Sequence, residues 1–252
     1  KINNNNIYIL PRDTQADNLE TIKKVEELYI EGVRIFIGPV FNRNLIGLDK
    51  YEDAIFLSLT NKVLNNPKNV ISSGINANSQ FRAIKKFQKK NDLKQTLVLI
   101  PKKDYKEEIE EAIKDSKLNS KKIFYYDTEP TKLTKQIEKV TRYQIRKQNL
   151  ADEIRRIENS EEENKEKKLE ILNRRDTLGK IGYDSIIIAD FDESLKSVTT
   201  SLLYTDVSPK NVTFISLNQW FDKTLFKETA SQPISFPSVN KRNFEKFNKE
   251  YE

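Results

Sequence analysis

The chain has no cysteine, no histidine and no methionine among its 252 residues. Without cysteine there are no disulfides, thiolate nucleophiles or zinc–thiolate sites. Without histidine the commonest general base and metal ligand is gone. The core also does without its usual flexible gap-filler, methionine. Glycine is scarce, with only six. None stands in a G-x-x-x-x-G-K-[ST], G-x-G-x-x-G or G-x-S-x-G arrangement, and no calcium-loop pattern occurs. No run approaches the roughly 18 apolar residues that read as a membrane span. The opening Lys1-Ile2-Asn3-Asn4-Asn5-Asn6 has neither an apolar signal core nor a lipobox cysteine, so a mature product or an excised domain is expected. The inventory points away from catalysis: no catalytic residue, metal or cofactor is expected.

Hydrophobic residues make up 37% of the chain and charged residues 33%, the mark of a globular protein with a very polar skin. The net charge of +6, from 44 basic against 38 acidic residues, reads along the chain as a mild excess on a lysine-rich surface. A nucleic-acid partner would call for a clustered basic face interleaved with aromatics, and none is expected.

Short β-branched runs alternate with amphipathic segments, which predicts an α/β fold of parallel sheets flanked by helices. Strands are predicted at 7–10, 33–37, 54–59, 69–72, 96–100, 122–126, 185–189, 212–217 and 234–236. Helices are predicted at 17–31, 77–91, 105–115, from about 131 onward, 193–204 and 240–251. In 17–31 the residues Leu19, Ile22, Val25, Leu28 and Tyr29 share one face at helical spacing. Two successive β-α-β series suggest two lobes. The expected division is a first lobe over 1–94, a second over 95–232, and a return toward the hinge and first lobe over 233–252. Residues 142–178 break the rhythm. They are dense in charge, with Glu161, Glu162 and Glu163 placed against Lys165, Lys167 and Lys168. Sparse apolar positions (Ile145, Leu150, Ile154, Ile157, Leu169, Leu172) can zip two helices into a hairpin, either a solvated structural element or a docking surface.

In open parallel sheets, ligands bind beyond the carboxyl ends of the strands. That rule selects Asp13 and Thr14, then Pro39, Phe41 and Asn42, Thr60 and Asn61, Ser73, Asp127, Asp190, and Asn218-Gln219-Trp220 as ligand-binding candidates. Gly38-Pro39 directly after a strand lets backbone approach closely while fixing the turn. Thr14 and Asp17 are candidate caps for the helix that follows. The pairs Asp190 with Asp192 and Asp127 with Glu129 would work as acid and base only if their environments pushed the two pKa values apart, which a sequence does not display.

The stretch Ile7-Tyr8-Ile9-Leu10-Pro11-Arg12-Asp13-Thr14, a helix, then Glu31-Gly32-Val33-Arg34-Ile35-Phe36-Ile37-Gly38-Pro39-Val40 resembles the type I periplasmic-binding-protein superfamily. That superfamily includes branched-chain amino acid receptors. Three further stretches are similar to the C-terminal domain of LpoA-type penicillin-binding protein activators. These are the charged region from Arg146, Asn149 and Leu150 into Arg174-Arg175-Asp176, the strand Tyr183-Asp184-Ser185-Ile186-Ile187-Ile188-Ala189, and Phe214-Ile215-Ser216-Leu217-Asn218-Gln219-Trp220-Phe221-Asp222. The resemblance spans essentially the whole chain, moderately in the first half and more loosely in the second. Relative to the fold, the chain is expected to begin after the first strand and helix.

The resemblance implies a two-lobed, non-catalytic periplasmic protein, anchored as an outer-membrane lipoprotein when full-length. Its implied partner is a peptidoglycan synthase, a penicillin-binding protein. The alternative is a solute receptor of an ABC-type transporter that closes on a branched-chain amino acid or similar ligand, with Asp127, Asp190 or Asp192 taking the ammonium.

Overall fold

A computed structural model describes residues 7–61, 66–218, 227 and 229–251. Contacts divide the chain into two units, Lys1–Ser79 and Gln80–Glu252.

The first unit opens with helix α1 (Asn18–Ile30), capped by Asp17, whose carboxylate accepts the Glu20 amide. Of the two cap candidates, the structure uses Asp17. Three short parallel strands follow, β1 (Ile35–Ile37), β2 (Ile55–Ser58) and β3 (Val70–Ser72), in the spatial order β1-β2-β3. Val25 and Leu28 of α1 pack on Phe36 and Phe56 together with Leu45, Leu48 and Tyr51 from the connection between β1 and β2. Phe36 and Phe56 stack at 4.8 Å. The opposite face of this sheet carries Ile35, Ile37, Ile55 and Ile71, all exposed.

Residues 7–10, predicted as a strand, are not in one: Ile7, Tyr8, Ile9 and Leu10 are exposed coil. A β-branched run supplies propensity, but a strand exists only where a neighbour completes its ladder.

The second unit holds a five-stranded parallel sheet in the order β5-β4-β6-β7-β8. Its strands are β4 (Thr96–Pro101), β5 (Lys122–Tyr126), β6 (Ser185–Ile188), β7 (Thr213–Ser216) and β8 (Ile234–Ser235). Residues 234–235 pair with β7 and complete this sheet. Strands β4 and β6 are buried at every position. That is why they read as unbroken apolar runs instead of alternating ones: parallel strands at the middle of a sheet are covered on both faces.

The remaining helices are α2 (Ala77–Lys90), whose first three residues fall in the first unit, and α3 (Lys106–Ser116), α4 (Pro130–Val140), α5 (Tyr143–Glu158), α6 (Lys165–Asn173), α7 (Asp192–Tyr204) and α8 (Lys241–Tyr251) of the second. On one face, Leu133, Ile137 and Val140 of α4 and Leu195, Val198 and Leu202 of α7 join Leu97, Leu99, Ile186, Ile188 and Phe214 in one core.

Within 142–178, helix α4 ends at Thr141 and Arg142 adopts a left-handed φ of 56°, which redirects the chain into α5. Leu150, Ile157 and Leu172 form a small apolar cluster between α5 and α6. The buried Arg146 ties its base. Its guanidinium donates to the carbonyls of Thr141 and Thr205 and to Thr177 Oγ1, and Thr177 in turn donates to Asp206. The ion pairs differ from the expected spacing. Residues 161–163 precede α6, so Glu162 is the acid that engages, with Arg156 and Lys168.

Candidate functional site

Three neighbouring strands of the second unit, β5, β4 and β6, end side by side, and the last residue of β5 and the loops after the other two converge on one carboxylate. Asp190, two residues past β6, is fully buried. Its Oδ1 accepts from Lys103 Nζ at 2.8 Å, from the Tyr105 hydroxyl at 2.7 Å and from the Phe191 amide at 2.9 Å. Its Oδ2 accepts from the Tyr126 hydroxyl at 2.6 Å. Register explains the meeting: Pro101 of β4 lies opposite Tyr126, and Leu99 lies opposite Ile188, so the chain leaves all three strands at nearly the same level. The Tyr105 ring also meets Phe191 edge-on at 5.8 Å.

Burial alone pushes the Asp190 carboxyl up, but the hydrogen bonds from Lys103, Tyr126 and Tyr105 outweigh it and hold the group below the usual carboxylate range. The two phenols respond in the opposite sense. Burial first, and then Asp190 itself, pushes both Tyr105 and Tyr126 well above the ordinary phenol value. At neutral pH the centre therefore holds one carboxylate and two neutral phenols. The phenols donate and do not act as bases.

A second cluster sits at the carboxyl ends of β1, β2 and β3. The Gly38-Pro39 bond is cis, and the Pro39 carbonyl accepts from Ser58 Oγ at 2.7 Å and from the Leu59 amide at 3.2 Å. The amide of Thr60 points to the same Ser58 Oγ at 3.3 Å. Ser73 binds the Ser58 carbonyl twice, through its amide and its hydroxyl, each at 2.9 Å. Asn42 donates to Asn66 at 2.7 Å, and Asn66 donates to Ser72 at 2.9 Å. Phe41 lies under the Arg43 guanidinium at 4.7 Å. Gly74 permits the close approach of β3's exit to Thr60: a Cβ there would come within 2.6 Å of the Thr60 carbonyl oxygen.

Of the residues singled out from the sequence, Pro39, Thr60 and Ser73 thus meet in one hydrogen-bonded cluster at Ser58, Asn42 belongs to a separate chain through Asn66 to Ser72, and Phe41 and Asn61 are exposed. Asp13 and Thr14 serve local turns: Asp13 accepts the Gln15 amide at 2.8 Å and the Thr14 carbonyl accepts the Asp17 amide at 2.9 Å. Asp127 follows Tyr126 but faces the start of α4, accepting the Glu129 amide at 3.1 Å, while its own amide donates to Gln136. The Asn218 amide donates to the buried Gln80 at 2.7 Å. Gln219 and Trp220 lie outside the described residues.

Sequence reasoning passed over Ser58, Lys103, Tyr105 and Tyr126. The only signal was position, since Tyr126 closes a strand and Lys103-x-Tyr105 follows one. Among the described residues, no group of three or more Asp, Glu, His or Cys is arranged to hold a metal. No described helix is long and apolar enough to cross a membrane.

No family model matches the chain, and no curated protein does. Solved structures do. Full-length LpoA from Haemophilus influenzae is 13% identical with a TM-score of 0.59, over 99% of this chain and 41% of that one. The LpoA C-domain from the same organism, described as a regulator of PBP1A, is 13% identical with a TM-score of 0.57, over 99% of this chain and 70% of that one. An ABC transporter substrate-binding protein from Desulfitobacterium hafniense is 13% identical with a TM-score of 0.54, over 95% of this chain and 64% of that one. The chain therefore spans less than half of full-length LpoA and about two thirds of the other two. At such identities the likeness establishes architecture, and by architecture this is an α/β protein of the type I periplasmic-binding-protein fold.

Proposed function

We infer that the chain is a non-catalytic, periplasmic interaction module that acts by contact with a protein partner, as a regulator of a peptidoglycan synthase, and that it is not a carrier of amino acids. The observation that carries this reading is the saturation of Asp190. An amino acid receptor needs a carboxylate with open lone pairs for the ligand ammonium. An ionised carboxylate has about four acceptor positions, and Asp190 takes four donors from its own chain. Lys103 is the cation that Asp190 already pairs with.

Such a module shifts its partner's conformational equilibrium through differential binding and makes or breaks no bond. In this reading the contact surface is the charged α5–α6 pair, where Ile145 and Ile171 are half exposed among charged neighbours. Outer-membrane anchoring of a longer protein belongs to the same reading.

A solute receptor remains the second reading, favoured by the amide and hydroxyl groups of Asn42, Ser58, Thr60 and Ser73 at three strand ends. One experiment separates the two. The full chain is titrated against a purified bifunctional penicillin-binding protein from its own organism, and its unfolding is followed against a panel of amino acids. Saturable binding that stimulates the synthase, with no amino acid raising stability, supports the regulator. A ligand at 100 times its Kd would add about 2.7 kcal/mol. A shift of that size with a branched-chain amino acid, and no binding to the synthase, would overturn it.

A further inference from the structure

Helix α2 carries Arg82, Lys85, Lys86, Lys89 and Lys90, all exposed, and no acidic residue. Their spacing is i, i+3, i+4, i+7, i+8, the pattern of a single helix face. Phe81, Ile84 and Gln88 are buried on the opposite side. From Arg82 to Lys90 the stripe runs for about 12 Å at the helical rise.

The fold widens this stripe. Lys85 Nζ donates to the Ser116 carbonyl at 2.9 Å, and Gln88 donates to the Asn119 carbonyl at 3.0 Å. These bonds lay α2 against 116–119, a segment that adds the exposed Lys117 and again contains no acid. The chain as a whole has a net charge of +6, so these six cations equal its entire excess. Among the described residues none of the six is in an ion pair. The acids bordering the surface are Asp92, engaged by Lys94 at 3.1 Å, and Asp115.

We propose that this α2 face is a docking surface for an anionic phospholipid membrane. Charge complementarity requires an anionic occupant, and side-chain chemistry selects the lipid. Five of the six cations are lysine, a strongly hydrated point charge that is depleted from protein–protein interfaces, where arginine is enriched. Base stacking by a nucleic acid needs exposed aromatic platforms, and the exposed residues between the cations of α2 offer only Ala83. A sheet of headgroup charge asks only for several ammonium groups on one side, each strengthening adsorption about fivefold at an anionic leaflet.

The test is co-sedimentation of the full chain with vesicles of phosphatidylcholine alone or with 30% phosphatidylglycerol. Binding to the anionic vesicles only is expected, fading as salt shortens the Debye length. The variant Arg82→Gln/Lys86→Gln/Lys89→Gln/Lys90→Gln, which spares the Lys85 bond to Ser116, is expected to lose more than about tenfold in partitioning while keeping its circular dichroism and melting profile. The control Lys165→Gln/Lys167→Gln/Lys168→Gln/Arg174→Gln removes equal charge from the α6 region and is expected to bind nearly as the unaltered chain does. No binding to anionic vesicles overturns the proposal, as does equal loss in both variants, which would mean net charge alone matters. Duplex DNA binding that survives salt concentrations abolishing vesicle binding would assign the face to nucleic acid and overturn it too.

Discussion

Replacing Asp190 by alanine removes the acceptor that four donors share. The Tyr126 hydroxyl is then stranded with its residue fully buried, and the Phe191 amide and Tyr105 hydroxyl lose their partner in a half-dry setting. Each stranded buried donor costs about 1–3 kcal/mol, and breaking a buried ion pair by removing one partner costs about 3–5 kcal/mol. These costs overlap. The Lys103 side chain is 32% exposed, so its ammonium can turn to water. The expected loss is about 3–5 kcal/mol for Asp190→Ala. For Asp190→Asn it is smaller, about 1–2 kcal/mol, because the amide oxygen still accepts while its charge is gone.

Urea unfolding at pH 7 reads this directly, with an unchanged m-value expected for the transition of the second unit. A cycle with Lys103→Met isolates the ion pair, for which a coupling of at least about 1 kcal/mol is expected. The pH dependence has a definite sign. The folded Asp190 pKa is depressed. Its contribution is therefore present above the unfolded value of about 3.9 and is lost as pH falls through the folded value. The unaltered chain and Asp190→Asn should converge in stability at acid pH. An alanine variant within about 1 kcal/mol of the parent at pH 7, or an asparagine variant whose deficit stays constant into acid, would refute the reasoning.

Three other outcomes follow from the same hydrogen bonds and packing. Tyr105 and Tyr126 have raised pKa values, so their contribution is present below about pH 10 and lost as pH climbs further; Tyr126→Phe should flatten the alkaline limb of a stability–pH profile. Arg146→Met removes the donors that hold Thr141, Thr177 and Thr205, at an expected cost of about 2–4 kcal/mol, with amide-exchange protection falling first in α5 and α6. Gly74→Ala drives a methyl to within 2.6 Å of a backbone oxygen that has no flexible side chain to yield, and a loss of about 1–3 kcal/mol in the melting of the first unit is expected.

Most of the fold was legible in the sequence because each β-branched run and each 3.6-residue stripe reports a local requirement. Strand β5 falls on its predicted residues, and β4 and β6 agree to within a residue. Ile7-Tyr8-Ile9-Leu10 shows where local signals end: its propensity is as good as that of β1, yet it is exposed coil. The long helix predicted from about 131 is in fact α4 and α5, separated by the positive φ of Arg142, a residue with no glycine-like signature. At the site, Asp190 was visible as a polar residue after a buried strand. Its partners were not, because Tyr126 is 64 residues away in sequence and Lys103 is 87.

By itself the sequence determined that this protein is a layered α/β molecule without cysteine or histidine, since composition and periodicity are properties of the chain at short range. Only the tertiary structure decided that Asp190 is spoken for by four donors, and that Lys117 lies beside the cations of 82–90. Hydrogen bonds and Coulomb attraction act through a few ångströms of space, and only parallel strand register brings residues so distant in sequence within that reach.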